Sequence, residues 1–564
     1  MPHGNQLTGA EAMVRMLQAC GVRHLFGLCG DTTLPLYDAL ARLDHGITHF
    51  LTRDERHAAY MADGYARVTG RPGVCEGPSG GGATYILPGL VEANESSVPV
   101  LAITTDVATT SAGRYPLTEL DQTALFRPLT KWNAALDTPA RLPAAMRQAF
   151  RAMTTGRPGA VHLSLPFDTQ KAPVDAAEIW AEPRHRSFPA EPAGPDPDAI
   201  AAAVDLLSRA KRAVAICGGG PVIAGAFEPL ARLARALDLP VATTVSGQGA
   251  IAETDPLAVG VVGSNGGVPA TRAVVDAADL VLFVGCRAGS VTTERWRSPA
   301  PGVPVIHIDS DPMVIGASYR TEVAIRADAR LALQALADAA EARGDLPAQG
   351  GAARAAAAWQ GKLAAFAPLA GSTERPIRPE AVIAELQDTL DDDAVIVADP
   401  GTPCPYFSAH YRWPRAGRQF ITNRAHGALG YALAAAMGAQ VGRPGARVIA
   451  AMGDGSFNFC CGEFETLVRY DLPVVSLVFS NATFGWIKAG QDAGFGQRFY
   501  NVDFGRTDHA AVARAFGLKA WTVEDPADLR RSIREALDHG GPALIDVIAQ
   551  PLHEAAAPVS EWVA

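Results

Sequence analysis

Across its 564 residues this chain repeats a single pattern. Short, continuously apolar, β-branched runs end in Gly, Asp or Pro, and stretches of helical period separate them. The runs include VPVLAIT, RAVAICGGG, LVLFVGC, VPVIHID, AVIVAD, RVIAAMGDG, PVVSLVFSN and ALIDVIA; the helical stretches include AEAMVRMLQACG, HAAYMADGYARVTG and PADLRRSIREALDHGG. A strand that is apolar on both sides must be covered on both faces, so this alternation predicts parallel sheets enclosed by helices. The fold class is α/β. One core cannot serve the whole chain, because cores stop growing near ~250–300 residues.

Two stretches break the pattern. PRHRSFPAEPAGPDP, from Pro183 to Pro197, is rich in Pro and charge and has no apolar period. The second break runs from about Arg343 to Pro376 and holds an Ala-rich helical piece between Gly, Pro and Ser. Cutting there predicts three doubly wound parallel-sheet domains over residues 1–182, 198–342 and 376–550, with a tail at 551–564. In such sheets ligands bind at the carboxyl ends of the strands.

Composition narrows the partners. A net charge of −10, with 48% hydrophobic and 19% charged residues, is ordinary for a globular chain. It argues against a nucleic-acid or anionic-membrane partner. The eight cysteines include no Cys-x-x-Cys pair and sit mostly in apolar runs, which reads as reduced thiols rather than a disulfide or zinc framework. The N-terminal segment lacks the layout of a secretory signal, and no apolar run reaches the ~18 residues of a membrane span. A cytoplasmic protein with no membrane partner is expected.

The most informative stretch is RVIAAMGDGSFNFCCGEFETLVRYDLPVVSLVFSNATFG. A buried strand ends at Gly453-Asp454-Gly455-Ser456, a helix carrying Glu463 and Leu467 is expected to follow, and a second strand ends at Asn481. Parallel neighbours would bring Asp454 and Asn481 together, although 27 residues separate them. A carboxylate, an amide oxygen and a backbone carbonyl are hard ligands that suit Mg²⁺, which takes its remaining ligands from water and a phosphate-bearing partner. The Gly455 and Ser456 amides, at a helix N-terminus, are placed to meet that phosphate. Taken alone, GDGS is also an ordinary strand-to-helix turn.

The pair GDGS…NATFG resembles the thiamin-diphosphate motif, in which GDG is followed at a distance by Asn. The resemblance implies side-chain metal ligation by Asp454 and Asn481 and carbonyl ligation by Thr483. Gly453, Gly455, Ser456, Phe484 and Gly485 then belong to the cofactor site. A second segment, RDERHAAYMADGYARVTG, resembles the Glu-bearing helix of the acetolactate synthase and benzaldehyde lyase group. There Glu55 matches the glutamate that promotes the reactive tautomer of the aminopyrimidine. In isolation Glu55 would be a helix-dipole partner. The family's usual preceding His is Asp54 here, a second carboxylate able to raise a neighbour's pKa.

The resemblance extends over nearly the whole chain and names the three domains as pyrimidine-binding, central and diphosphate-binding. GPSGGGATY resembles the glycine-rich loop beside the pyrimidine, so Ser79 and Gly82 are cofactor residues. ADPGTP implies diphosphate contacts by Gly401 and Thr402. HGALGYALAAAMGA implies that the Gly427 carbonyl accepts from the 4′-amine and that Leu429 wedges the cofactor into its bent shape. The family's sites lie between subunits, so a homodimer or homotetramer is implied, with Glu55 serving the partner's cofactor.

Substrate choice falls on departures from the family. Cys29 replaces a histidine of benzaldehyde lyase, Thr118 replaces the glutamine of the acetolactate synthases, and His426 precedes Gly427 where an apolar residue is usual. All three are candidate catalytic residues, and for Cys29 and His426 packing is the competing role. Phe484, Trp486, Ile487 and Gln491 are expected at the entrance. The middle segment keeps CGGGPVIAGA, GCRAGSVTT and HIDSDP but retains only Arg287 of the flavin enzymes' RFDDR run. An unliganded central domain is expected, with FAD or ADP as alternatives. The implied activity is a thiamin-diphosphate- and Mg²⁺-dependent carboligase of acetolactate-synthase type. It would decarboxylate a pyruvate-like 2-oxo acid and transfer the acyl-carbanion unit to an aldehyde or ketone. The alternatives are a non-coupling decarboxylase, an acyloin lyase, and, from another class, a non-catalytic nucleotide- or flavin-binding paralogue.

Overall fold

A computed structural model describes residues 6–344, 346–555 and 557–562. The reading of the N-terminal segment therefore rests partly on residues 1–5, and that of the tail partly on residues 556, 563 and 564, all outside the described residues. The expected α/β class is what forms: three six-stranded sheets, each with all its strand pairs parallel.

The first sheet runs, in spatial order, Thr48–Leu51, His24–Gly27, Gly73–Gly77, Val100–Asp106, Val161–Pro166, Trp132–Ala135. The second runs Ala258–Val261, Val241–Thr243, Ala213–Cys217, Leu280–Val284, Val305–Asp309, Val323–Arg326. The third runs Phe420–Thr422, Val395–Ala398, Val448–Gly453, Val474–Ser480, Ala543–Ile548, Lys519–Val523. With strands numbered within each sheet, the first and third share the order 2-1-3-4-6-5, and the second follows 3-2-1-4-5-6. Strand order reverses next to the first strand in every case, and a crevice opens where the two neighbouring loops diverge. In the first and third sheets, the segments just after the first and third strands hold Cys29, Ser79, Gly401 and Thr402 in loops, Gly82 in the short helix Gly81–Tyr85, and Gly453–Ser456 where a strand passes directly into a helix.

The strands are buried on both faces because apolar side chains alternate between two helix layers. Leu25, Ile103 and Leu163 of the first sheet pack on Met13, Leu17 and Phe150. Leu282 and Ile306 of the second pack with Leu207 and Leu230. Ile396, Ile449, Leu477 and Ile545 of the third pack with Phe407 and Ile533.

The chain packs as two compact units. One comprises residues to Glu191 with Ala425–Gly445 and Cys460–Leu472; the other comprises Pro192–Arg424, Ala446–Phe459 and Pro473 onward. Two pieces of the C-terminal third thus belong to the unit of the first sheet. Their attachment is built on glycine. The helices Glu55–Thr69 and Tyr431–Gly442 approach so closely that a Cβ on Gly64 would lie 2.1 Å from the Ala435 carbonyl oxygen, and one on Gly438 would lie 1.9 Å from that of Met61.

One local expectation is corrected. The segment after GDGS is not one helix: Asp454–Cys460 is helical, Cys461–Glu463 is a 3₁₀ turn, and Phe464–Arg469 is a second helix. Glu463 and Leu467 therefore lie beyond the break. The break has a tertiary cause, since the buried Glu463 carboxylate accepts from the Arg53 amide (2.8 Å) and lies 3.0 Å from His57 Nδ1. No helix among the described residues is long and apolar enough to cross a membrane.

Candidate active site

In the unit of the first sheet, Asp54 caps the helix Glu55–Thr69 by accepting from the Arg56 amide at 2.8 Å, and it also pairs with the Arg56 guanidinium at 2.9 Å. Asp54 is thereby turned to its own helix. Glu55 follows at the first helical position and is 5% exposed. No ion pair to it is found among the described residues. Burial pushes its carboxyl above the usual range; a backbone hydrogen bond opposes this, and the charges of Asp54 and Glu76 add to it. Two glycines make room for the side chain. A Cβ on Gly77 would sit 3.2 Å from Glu55 Cγ, and one on Gly82 3.0 Å from Oε1.

Ser79 and Thr118 are brought together, their hydroxyls 2.7 Å apart, and the chain of hydroxyls continues from Ser79 to Thr32 (3.2 Å) and from Thr32 to Thr105 (2.7 Å). Thr118 adopts φ 71° and Gly80 φ 65°; the Cβ a side chain would place on Gly80 falls 2.8 Å from Thr118 Cβ. A β-branched residue in the left-handed region is costly, and such strain gathers at functional loops. Cys29 is exposed on the neighbouring loop, which packs on the glycine-rich turn through Gly30 against Pro78. No hydrogen bond joins Cys29 to Glu55, Ser79 or Thr118 among the described residues.

The turn before Tyr431 carries His426, Gly427 and Leu429. Gly427 has φ 74° and open space where a Cβ would be. The His426 ring is exposed while its amide donates to Glu92 Oε2 at 2.8 Å, as does the Ala425 amide at 3.2 Å. Glu92 is fully buried and also accepts from Arg67 at 2.9 Å. The sequence pattern does not single out Glu92, because a glutamate inside a helix ordinarily faces water; only packing shows it fixing this turn.

The second unit carries the other group of candidates. Asp454 and Asn481 end adjacent parallel strands, in the register Gly453 opposite Phe479. Asp454 Oδ2 accepts from the amides of Asn481 (2.7 Å) and Ala482 (2.6 Å), and Oδ1 accepts from the Gly455 amide (2.8 Å). Three of the roughly four lone-pair positions of this carboxylate are thus used, and the rest is free for a cation. Burial raises Asp454, and the three amides oppose that; a bound cation would hold it charged. Ala482 is forced to φ 56° by the same pair of bonds. The Asn481 side-chain oxygen and nitrogen are both buried without a hydrogen-bond partner.

Thr483 is 5% exposed, and its hydroxyl donates to the Val502 carbonyl at 2.9 Å. The Ser456 hydroxyl donates to Asp399, a buried residue not singled out by the sequence pattern although it stands two before Gly401. Gly401 and Gly453 both face open space, whereas a Cβ on Gly455 would meet the Phe484 ring at 2.7 Å. Thr402 Oγ1 lies 3.4 Å from the Cβ position of Gly485. Phe484 and Ile487 are exposed, but Trp486 turns to Trp562 (5.2 Å between rings), and Gln491 spends its amide on Tyr500. Among the described residues no cluster of three or more His, Cys, Asp or Glu would hold a metal unaided.

Comparison with known proteins identifies this arrangement. Residues 7–125 match the N-terminal TPP binding domain of thiamine pyrophosphate enzymes, 200–336 their central domain, and 400–547 their C-terminal TPP binding domain. The chain belongs to the thiamine pyrophosphate enzyme family, of the acetolactate-synthase type. It is 35% identical over 558 residues to a probable acetolactate synthase large subunit of Methanocaldococcus jannaschii, an alignment covering 97% of this chain and 92% of that one. To the acetolactate synthase large subunit of Parasynechococcus marenigrum it is 33% identical over 550 residues (96% and 87% covered). To acetolactate synthase isozyme 1 of Escherichia coli it is 30% identical over 548 residues (96% and 94%).

The residues fit thiamine pyrophosphate with a divalent cation. A family member that relies on a phosphate-bearing ligand leaves its metal site incomplete in protein ligands, and the unpaired Asn481 amide is a polar group folded without its partner. A buried amide lacking bonds destabilises the fold by about 1–3 kcal/mol. Asn481→Ala is therefore expected to leave the cofactor-free protein as stable or up to about 1 kcal/mol more stable, while Mg²⁺-dependent retention of thiamine pyrophosphate on gel filtration is lost. Chemical denaturation of the apoprotein beside the retention assay checks both halves.

Proposed function

We propose that this thiamine-pyrophosphate-dependent enzyme is a Mg²⁺-dependent carboligase. It decarboxylates a pyruvate-like 2-oxo acid and passes the two-electron acyl unit to an aldehyde or ketone acceptor. The observation that carries the reading is Glu55, a buried carboxyl with a raised pKa and, among the described residues, no ion-pair partner, at the start of a largely buried helix in a family whose similar members are named acetolactate synthases. When bound, the cofactor supplies the electron sink for cleavage and formation of a bond at a carbonyl carbon.

The chain's own residues do the rest. Glu55 holds or donates a proton at the pyrimidine ring nitrogen, a task that its upward-shifted carboxyl favours. The turn that carries Gly427 and Leu429 is held by Glu92 through the Ala425 and His426 amides, and its Gly427 carbonyl and Leu429 side chain would hold the aminopyrimidine side of the cofactor. Asp454, Asn481 and the Thr483 carbonyl hold Mg²⁺, and Gly401, Thr402, Gly453, Gly455 and Ser456 cradle the diphosphate. Phe484 and Gly485 close that cradle, since Phe484 leaves room for nothing larger than glycine at 455. Ser79, Gly82 and Thr118 line the pyrimidine side, with Cys29 and His426 on the substrate side.

The domain limits follow as 1–182, 198–342 and 376–550. The assembly is a homodimer or homotetramer in the cytoplasm, with Glu55 serving the partner's cofactor. Each unit exposes apolar side chains that such an interface would cover: Tyr115 and Leu117 on the first, Ile487, Phe495 and Tyr500 on the second. The central domain carries no flavin on this reading. That reading rests on the sequence, which keeps only Arg287 of the flavin enzymes' RFDDR run.

Incubation with pyruvate and a panel of 2-oxo acids, with and without aldehydes, is expected to give CO₂ and a coupled hydroxy-ketone product by mass spectrometry. CO₂ without a coupled product would make the enzyme a simple decarboxylase and end the carboligase reading. Glu55→Gln is expected to lower turnover by ~10²–10⁴-fold with cofactor affinity little changed; a matching loss of affinity would mean that Glu55 is structural. The visible spectrum of the purified protein should lack flavin bands, and a yellow protein with oxidised-flavin peaks overturns the empty central domain.

A further inference from the structure

The helix Gly351–Ala370 joins the second sheet to the third within one unit, and it walls a cavity of about 240 Å³. Trp359, Lys362, Phe366, Gln387, His410 and Arg412 line it. None of these residues belongs to the cofactor site described above. His410 ends the helix Pro403–His410, which starts directly after Thr402. An occupant of the cavity would sit two helical turns from that loop.

The lining is mostly apolar, and two cationic side chains, Lys362 and Arg412, stand in it. Lys362 is 4% exposed, and no carboxylate lies within ion-pair distance of its amine among the described residues. The amine instead rests over the Trp359 ring, 4.0 Å from its centroid, and the Arg412 guanidinium lies 4.9 Å from the same ring. Arg412 spends its Nε on the Glu253 carbonyl at 3.1 Å. The Glu253 carboxylate acts on Lys362, and among the described residues one of its buried oxygens has no hydrogen-bond partner. His410 stacks on Phe366 with 4.5 Å between ring centres, and its Nδ1 is buried without a partner. Burial, reinforced by the Lys362 charge, pushes His410 down to about 3, so the imidazole is neutral and adds no charge of its own. Lys362 and Arg412 face Glu253 here, and burial lowers the Lys362 amine and raises the Glu253 carboxyl.

A buried cation resting on an aromatic face retains part of its desolvation cost, and an entering anion recovers it. The aromatic walls add apolar contact that a bare inorganic anion cannot use. The volume is below the roughly 300–1,000 Å³ of drug-sized sites, which limits the occupant to a small molecule. We propose that this cavity is a binding site for a small organic carboxylate with a flat apolar body. The carboxylate meets Lys362 and Arg412, and the body lies against Trp359 and Phe366. Burial lowers the Lys362 pKa, with Glu253 opposing and Arg412 adding to the shift; an arriving carboxylate favours the charged amine.

Isothermal titration of the full-length holoenzyme with benzoate tests this, with benzamide and inorganic phosphate as controls. Benzoate is expected to saturate a single site per chain, and both controls to bind about tenfold more weakly or worse. Lys362→Met should weaken benzoate by about tenfold or more. Leu363→Trp, at a position 49% exposed on the cavity wall, should block it by filling the mouth. If Lys362→Met does not fold, Leu363→Trp decides alone. No saturable benzoate binding, binding that survives Leu363→Trp, or phosphate binding equal to benzoate each overturns the proposal. The readout is binding, so it stands or falls apart from the carboligase activity.

Discussion

The helix Glu55–Thr69 has no free face, and the unit around it is arranged to satisfy that. Twelve of its fifteen residues are buried, including Glu55, His57 and Asp63. A helix enclosed on all sides needs partners for its polar side chains, and most of them find one. His57 meets Glu463, Asp63 meets Tyr431 and Arg67, and Arg67 meets Glu92. Buried pairs of this kind are costly to break, about 3–5 kcal/mol when one partner is removed. They therefore fix the register of the C-terminal pieces against the helix. Glu92 then holds the Ala425–Gly427 turn, and Glu463 sets the break in the chain after the GDGS turn. Among the described residues, Glu55 has no ion-pair partner.

The same logic governs the second unit on a smaller scale. Asp454 binds its own strand-end amide and the two amides of the next strand's end, so the turn at Asn481 is defined by the carboxylate before any cation arrives. The side chain of Asn481 receives nothing in return. Asn481 is one of the buried polar groups left without a hydrogen-bond partner among the described residues.

Much of the fold was legible in the chain. Continuously apolar runs ending in Gly or Asp are readable because burial on both faces removes polar residues from the strands. The GDGS and NATFG turns are readable because the small residues and hard oxygen ligands they bring together at two strand ends form a recognisable local pattern. Glu92, Asp399 and Glu463 were not legible, since nothing local separates a buried helical carboxylate from an exposed one. The single helix expected after GDGS failed for the same reason, as the break answers to Arg53 and His57, four hundred residues earlier. Trp486 and Gln491, expected at the entrance, are engaged by Trp562 and Tyr500, contacts with no periodic signal.

By itself the sequence determined three α/β sheets, the strand ends where chemistry gathers, and the residues that resemble a thiamine pyrophosphate site. Those are properties of local pattern, fixed by side-chain period, backbone sterics and ligand hardness. Tertiary structure alone decided that pieces of the last third pack with the first sheet, that Glu55 is buried without a counter-ion, and that Asn481 is left unpaired. It also brought Lys362, Arg412 and His410 to one cavity, from a linker helix and a strand-flanking segment that carry no shared motif. Burial and partnership depend on which surfaces meet, and that is set by the whole chain at once.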